Sequence, residues 1–159
     1  MTINVTLREM ITDDLPTFYE QQSDATANYM AAFTPTDPAD RNAFTTRWLK
    51  ILRDDNISKK TIIYNGDVAG QVLSFEHFGE PHVSYWIAKE HWGKGVATSA
   101  LSKFLADSKI RPLYARAVKD NIGSIRVLEK CGFTITGEDK GFSNARGTEV
   151  EEFILKLDR

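Results

Sequence analysis

Two glycines separated by one residue precede a helix-forming segment in HWGKGVATSAL, which runs from His91 to Leu101. Glycine adopts the left-handed backbone conformation without steric cost, so Gly93 and Gly95 permit a tight turn between a strand and a helix. The amides of a first helical turn have no partner within the helix and lie at the positive end of its dipole. The turn therefore suits a phosphate or pyrophosphate group, although a purely structural turn fits the same spacing.

The segments on either side of this turn predict a strand–helix–strand crossover. HVSYWIA, from His82 to Ala88, has the composition of a strand. A helical apolar face runs from Val96 to about Lys109, and a strand is expected over Leu113 to Val118. Such a crossover joins parallel strands, so one parallel pair is expected in the second half of the chain.

The other strands are expected to be antiparallel. Asn65-Gly66 suits a type I′ hairpin turn between strands at about Thr61 to Tyr64 and Asp67 to Phe75. Gly79-Glu80-Pro81 is expected to turn the chain into the strand at His82. Two final strands, FTITG and EVEEFILKL, are expected to flank a loop from Glu138 to Thr148. The sequence therefore predicts an α/β (α+β) domain with a mostly antiparallel sheet.

Helix signals surround these strands. Thr12 or Asp13 is a candidate N-cap for a helix that places Leu15 and Phe18 on one face. A loop from Pro35 to Pro38 precedes a second helical pattern. The last helix is expected to begin at a cap on Asp120 or Asn121, to face inward with Ile122, Ile125 and Leu128, and to end at Gly132.

Composition limits the class of protein. The 159 residues are 42% hydrophobic and 26% charged, which is typical of one soluble globular domain spanning residues 1–159. The absence of a signal-like or membrane-spanning apolar run favours a cytoplasmic protein without membrane association. Cys131 is the only cysteine, which excludes an intramolecular disulfide or a zinc thiolate cluster. A net charge of −2 argues against a nucleic-acid-coating protein.

Other phosphate-binding motifs fit the glycine turn less well. The Walker spacing is absent, and Thr98 stands where the dinucleotide fingerprint needs its third glycine. Lys94 can add a positive charge, Ala97 keeps the turn open, and Thr98 and Ser99 can donate hydroxyl hydrogen bonds. A nucleotide-binding protein that uses the same turn stays as a weaker alternative.

The segment YWIAKEHWGKGVATSAL, followed after a strand by NIGSIRVLEKCGF, closely resembles the Gcn5-related N-acetyltransferase (GNAT) superfamily. The resemblance is strongest to its branch of ribosomal-protein and small-molecule acetyltransferases, and covers the second half of the chain in detail. It implies a mostly antiparallel, mixed central sheet of about six to seven strands flanked by about four helices. It also implies acetyl-CoA as cosubstrate and an N-acetyltransferase activity.

By this resemblance, the glycine turn cradles the pyrophosphate of acetyl-CoA, although Trp92 replaces the usual Gln or Arg and removes one polar contact. The strand at Trp86 is implied to splay from the Leu113 to Val118 strand, which frees backbone groups for the pantetheine arm. Asn121 matches an asparagine that contacts CoA, and is equally explained as an N-cap. The implied acetyl-CoA-binding residues are Trp86, Ile87, Ala88, Trp92, Gly93, Lys94, Gly95, Val96, Ala97, Thr98, Asn121 and Ser124.

Acetyl transfer to an amine requires a proton acceptor, since the amine is protonated at neutral pH. His82 is the first candidate base, with Glu76 or His77 as substitutes; each is also explained as a structural or edge residue. Leu128 stands where many GNAT proteins carry a tyrosine acid, so that role does not carry over. Ser124 matches a serine that can hydrogen-bond the thiolate, and also fits a plain helix-surface serine. No histidine has metal-ligand spacing, so no metal is expected.

The acceptor is expected to be a small-molecule amine or a protein N-terminus, approaching where the loop around Tyr29 to Pro38 meets the loop Gly137 to Gly147. Aromatic side chains along the chain are candidates for an apolar acceptor channel or for the core. The main alternative is a catalytically weak acetyl-CoA-binding sensor or interaction module. A monomer and a homodimer both fit the sequence. The candidate channel residues are Tyr29, Phe33, Trp48, Phe75 and Trp86.

Overall fold

The structure of this chain is a computed structural model that describes residues 3–35 and 37–159. Met1, Thr2 and Thr36, the last inside the predicted Pro35 to Pro38 loop, lie outside the described residues. The strands are β1 Val5–Glu9, β2 Ser58–Tyr64, β3 Asp67–His77, β4 Glu80–Ile87, β5 Leu113–Val118, β6 Thr134–Ser143 and β7 Thr148–Leu157. The helices are α1 Leu15–Gln22, α2 Ala25–Ala31, α3 Arg41–Arg53, α4 Val96–Asp107 and α5 Ile122–Lys130, with short 3₁₀ helices at Thr12–Asp14 and Lys89–His91.

The strands form a single sheet in the order β1-β2-β3-β4-β5-β7-β6. Every neighbouring pair is antiparallel except β4 and β5, which α4 connects as a crossover. The mixed, mostly antiparallel α+β fold is therefore confirmed. The described residues form five α-helices rather than about four, because α2 follows α1 with only a short break in a segment expected to be one helix.

Both hairpin turns in the first half use left-handed residues. Asn65 has φ of 51° and Gly66 has φ of 87°, which confirms the type I′ turn. The next turn lies at Phe78 and Gly79, with φ of 53° and 77°, and β4 begins at Glu80. This turn is thus earlier than the predicted Gly79-Glu80-Pro81, because Pro81 already lies inside β4.

The prediction of a loop over Glu138 to Thr148 is wrong. β6 stays paired with β7 as far as Ser143 opposite Thr148, so only residues 144–147 form the turn. The polar composition that favoured a loop belongs to an exposed two-stranded extension at the sheet edge. The extended hairpin reaches across to the segment that follows α2.

Two helix starts differ from the sequence prediction. Neither Thr12 nor Asp13 caps α1, because a 3₁₀ turn intervenes and α1 begins at Leu15. Asn121, not Asp120, caps α5: its side-chain oxygen accepts from the Ser124 amide at 3.3 Å. Ile122 is 51% exposed rather than facing inward. Gly132 ends the helix with φ of 100°, as predicted.

The core lies on both faces of the sheet. One cluster packs α4 and α5 against the central strands and contains Val72, Leu101, Leu113, Leu128 and Leu155. The other packs α1 and α3 against β3 and contains Phe18, Phe44, Trp48 and Leu73. In the described part of the chain, no helix combines the length and hydrophobicity needed to cross a membrane.

Candidate active site

Strands β4 and β5 diverge after a single registered pair. His82 opposite Tyr114 is the only parallel pairing between them, although the two strands have eight and six residues. The backbone groups of a strand alternate between its two neighbours. Because the Ala88 amide donates to the Ala69 carbonyl of β3 at 2.8 Å, Tyr85 and Ile87 direct their backbone groups towards the gap. The splay implied by the family resemblance is therefore present.

Two of the backbone groups expected to be free are already bonded. The Ala88 amide is occupied by Ala69, and the Ile87 carbonyl accepts from the indole nitrogen Nε1 of Trp92 at 2.8 Å. Trp92 therefore does more than remove the polar contact of the usual Gln or Arg, since its ring holds the end of β4. The amides of Tyr85 and Ile87 are the groups of β4 directed into the gap.

Gly70 allows the close approach that shapes this end of β4. A Cβ atom at Gly70 would lie 1.9 Å from the Trp86 carbonyl oxygen, so only glycine fits beside β4 here. Ala69 next to it is the extra residue of a bulge between β2 and β3. Sequence reasoning missed Gly70, although an isolated glycine inside a strand signals a close backbone approach.

The glycine turn has the geometry expected for a phosphate cradle. Gly93 and Gly95 both adopt left-handed conformations, with φ of 76° and 78°, and Gly95 is the N-cap of α4. A Cβ atom at Gly93 would meet nothing within 4 Å, so the space above the turn is open. No side chain caps α4, and the first helix bond runs from Ser99 to Gly95, which leaves the three preceding amides without helical partners.

A cavity of about 1180 Å³ connects this turn with the opposite face of the sheet. Ala88, Lys94 and Glu76 are not among the residues that line it; Lys94 and Glu76 are exposed. Of the five aromatic residues named as channel candidates, Tyr29 is likewise outside the lining. The predicted site residues that line the cavity are His82, Trp86, Ile87, Trp92, Gly93, Gly95, Val96, Ala97, Thr98, Asn121 and Ser124.

His82 lines this cavity and has one buried ring nitrogen without a hydrogen-bond partner among the described residues. The residue is 5% exposed, and its Nδ1 lies 3.0 Å from the Glu80 carbonyl oxygen. A carbonyl oxygen only accepts, so Nδ1 carries the proton and Nε2 keeps its lone pair in the neutral ring. Nε2 is buried and has no hydrogen-bond partner among the described residues. This arrangement gives the cavity a buried proton acceptor.

His77 lines the same cavity, with its ring 5.3 Å from the ring of His82. Loss of hydration, reinforced by the nearby His82 and Arg116, lowers the pKa of His77. Arg116 pairs with Glu152 and Asp139, each at 2.8 Å, beneath the ring of Phe78. The charged side chains beside the two histidines are therefore bonded to one another.

Ser124 lies opposite Tyr85 across the gap. The two hydroxyl oxygens are 2.9 Å apart, and burial raises the pKa of Tyr85 to about 12. Asn121 holds the Ser124 amide and also donates from Nδ2 to the Met30 carbonyl at 3.3 Å. The start of α5 is thus tied both to β4 and to α2. Tyr85 and Ser124 are far apart in the sequence, so only the fold reveals this pairing.

The extended β6–β7 hairpin fixes the segment after α2. Ser143 Oγ donates to the Ala32 carbonyl at 2.6 Å, and Arg146 Nε donates to the Tyr29 carbonyl at 2.9 Å. Arg146 also forms a two-point ion pair with Asp120, at 2.7 and 2.9 Å. The two segments expected to meet at the acceptor side are therefore in contact. Within residues 3–35 and 37–159, no cluster of three or more His, Cys, Asp or Glu is arranged to hold a metal.

A family model described as acetyltransferase (GNAT) domain matches residues 4–134 of the chain. The chain belongs to the GNAT acetyltransferase family. This GNAT protein is an acetyl-CoA-dependent N-acetyltransferase. It is 22% identical to the uncharacterized N-acetyltransferase p20 of Bacillus licheniformis, over 98% of this chain and 93% of the relative.

Solved structures share the GNAT fold of this chain. The microcin C7 self immunity acetyltransferase MccE, in complex with acetyl-CoA and AMP, superposes with a TM-score of 0.79. The two share 18% identity over 98% of this chain and 92% of MccE. Mycobacterium smegmatis RimJ in complex with CoA-disulfide gives 0.78, with 20% identity over 97% of this chain and 81% of RimJ. These neighbours do not separate one branch of the GNAT family from another.

Proposed function

We propose that this GNAT protein transfers the acetyl group of acetyl-CoA directly to a primary amine of a small molecule or a protein N-terminus. His82 would accept the proton released by the amine. The observation that carries the proposal is the buried, unpaired Nε2 of His82, a residue that lines the same cavity as the glycine turn. The branch of ribosomal-protein acetyltransferases is favoured by the sequence resemblance alone.

The residues around the gap fit acetyl-CoA. The pyrophosphate would lie on the uncapped amides of Val96, Ala97 and Thr98, which the left-handed Gly93 and Gly95 leave accessible. The pantetheine arm would follow β4, where the amides of Tyr85 and Ile87 face the gap. Acetyl-CoA supplies an activated thioester; the protein supplies its orientation.

The transfer step forms a negatively charged oxygen on the thioester carbon. An amide that is already oriented stabilises such an oxygen, and the amide of Ile87 is the proposed donor. The amine loses its proton to Nε2 of His82 as the nitrogen–carbon bond forms. Glu76 is exposed outside the cavity, so it fits this proton-accepting role less well than His82.

The acceptor would enter from the face that carries α1 to α3. Phe33, Trp48, Phe75 and Trp86 line that part of the cavity, which favours an amine with an apolar body. We further propose that residues 1–159 act as one cytoplasmic domain, as a monomer or a homodimer, without a metal, a nucleic-acid partner or membrane association.

The test is release of free CoA from acetyl-CoA in the presence of primary amines, with amino acids, polyamines and short peptides as acceptors. His82→Gln should lower kcat by about a hundredfold or more, since a positioned base contributes at least that much. Glu76→Gln tests the rival base and should leave kcat near the wild-type value. A loss of kcat in Glu76→Gln with full activity in His82→Gln would contradict the assignment. Tight acetyl-CoA binding without turnover over the whole panel would favour a sensor.

A further inference from the structure

We propose that Tyr85 is a positioning residue of the transfer reaction, because its hydroxyl fixes the Ser124 hydroxyl as a hydrogen-bond donor to the departing thiolate of CoA. The inference rests on the proposed function, and it adds a residue, Tyr85, to which the family resemblance assigns no role.

The two hydroxyls are held from opposite sides of the gap. Tyr85 lies on β4, just beyond the last pairing with β5, and Ser124 lies in the first turn of α5. Their oxygens are 2.9 Å apart, and both residues line the cavity that reaches the glycine turn. The Asn121 side chain holds the Ser124 amide at 3.3 Å, so the serine is located by both the strand and the helix.

The direction of this hydrogen bond decides which of the two hydroxyls can donate to a third group: Ser124 if Tyr85 donates, and Tyr85 if Ser124 donates. Each hydroxyl has a single proton. Burial raises the pKa of Tyr85 to about 12, so the phenol keeps its proton through the neutral range. When Tyr85 donates to Ser124 Oγ, the Ser124 proton is free to point towards another acceptor. In this arrangement Ser124 accepts from Tyr85 and can donate its own proton towards the cavity.

The reaction produces an anion that needs such a donor. The amine nitrogen forms a bond to the carbonyl carbon, the carbon–sulfur bond breaks, and its electron pair stays on sulfur. The proton from the amine goes to Nε2 of His82, so CoA leaves as a thiolate. Ser124 donates a hydrogen bond to this sulfur without giving up its proton. The products are the amide, the protonated His82 ring and the CoA thiolate. Leu128, at the position matching the family tyrosine, offers no hydroxyl for this purpose.

The pKa of the CoA thiol bound to the protein reports this hydrogen bond without any turnover. CoA labelled at the carbon next to sulfur is bound to the protein, and its NMR shift is followed against pH. A donor to the thiolate lowers the thiol pKa, so Tyr85→Phe and Ser124→Ala should each raise it relative to the wild-type complex. Tyr64→Phe, on β2 outside the cavity, is the matched control and should leave it unchanged.

The double variant separates positioning from simple packing. If Tyr85 acts through Ser124, Tyr85→Phe should raise the thiol pKa in the wild-type background and not in the Ser124→Ala background. In turnover, Tyr85→Phe should lower kcat about tenfold, as for loss of a hydrogen bond that supports a charged group, with the KM for acetyl-CoA little changed. Tyr85→Phe keeps the aromatic ring; if that variant does not fold, Tyr85→Met, which also lacks the hydroxyl, gives the same comparison.

An unchanged thiol pKa in Tyr85→Phe would overturn the inference, and so would additive effects of the two substitutions. Failure of the proposed function would look different, because the wild-type protein itself would then either not bind CoA or bind acetyl-CoA without turnover. Binding of CoA and full turnover in Tyr85→Phe would contradict the role of Tyr85 alone.

Discussion

The backbone carbonyl of Trp86 occupies the place where any side chain on Gly70 would begin. An added Cβ would be 1.9 Å from that oxygen, closer than any non-bonded contact allows. Since Trp86 belongs to the strand that diverges from β5, the absence of a side chain at Gly70 helps to position the gap between β4 and β5. The opening in the sheet thus depends on a residue of β3, two strands away from β5.

Gly70→Ala should therefore destabilise the fold and displace β4. Overpacking against a backbone atom that cannot rotate away costs about 3 kcal/mol. Denaturant unfolding should show this loss, and the surviving folded protein should bind acetyl-CoA more weakly. Gly137→Ala is the matched control, because its Cβ would meet the Ile154 side chain at an ordinary 3.7 Å without a left-handed φ. Equal stability of the two variants would contradict this account of Gly70.

The Asp14 carboxylate should make the protein sensitive to acid. It accepts hydrogen bonds from Arg8 at 2.6 and 2.9 Å, from the Ile11 amide at 3.0 Å and from Thr61 Oγ1 at 2.7 Å. Burial on its own would raise its pKa, but these bonds and the Arg8 charge lower it below the ordinary value of 3.8. The stabilisation is present above the unfolded-state pKa and is lost as the pH falls through the lower folded-state value.

Asp14→Asn should remove this dependence. The free energy of unfolding near neutral pH should fall by about 1–3 kcal/mol, the cost of breaking a hydrogen-bonded charge whose partner Arg8 is partly exposed. As the pH falls below about 4, the ordinary carboxyl value, the difference between wild type and variant should shrink, and the two should converge once the pH is below the lowered folded-state pKa of Asp14. Urea titrations across this range measure both effects. A constant difference between the two proteins at all pH values would refute the assignment.

The contacts of Arg146 with Asp120 and Tyr29 should affect the binding of the acceptor amine. Arg146 is 7% exposed in its side chain and joins the β6–β7 turn, the residue before Asn121 and the end of α2. Arg146→Gln should raise the KM for the acceptor more than the KM for acetyl-CoA, and should cost about 1 kcal/mol of stability because Asp120 is exposed. Steady-state kinetics compare it with Arg53→Gln, an exposed arginine on α3. Equal changes in both KM values would argue against a specific acceptor effect.

The features that depend on local backbone preferences could be predicted from the sequence. The Asn65-Gly66 turn, the left-handed Gly132 and the crossover through α4 follow from backbone preferences and short-range periodicity, and all are present. The resemblance to GNAT proteins correctly implied the splay of β4 from β5. These features require no knowledge of distant contacts.

The features that the sequence did not predict depend on contacts between residues far apart in the chain. Asp14 stands at the N-cap position of α1, but its carboxylate bonds Arg8 and Thr61 instead of the helix amides, and nothing in the adjacent residues reveals Thr61. The β6–β7 extension resembles a loop in composition, because its side chains are exposed while its backbone is paired. Tyr85 and Ser124 are 39 residues apart in the chain, and only the fold brings their hydroxyls together.

The most direct test of the account is calorimetric titration of the protein with acetyl-CoA, beside Gly95→Ala and the control Gly137→Ala. The left-handed Gly95 starts α4, and an alanine there costs about 1–2 kcal/mol and turns the helix amides away from the phosphates. The account predicts binding by the wild type and the control, and markedly weaker binding by folded Gly95→Ala. Absence of binding by the folded wild type, or equal affinity in all three proteins, would contradict it.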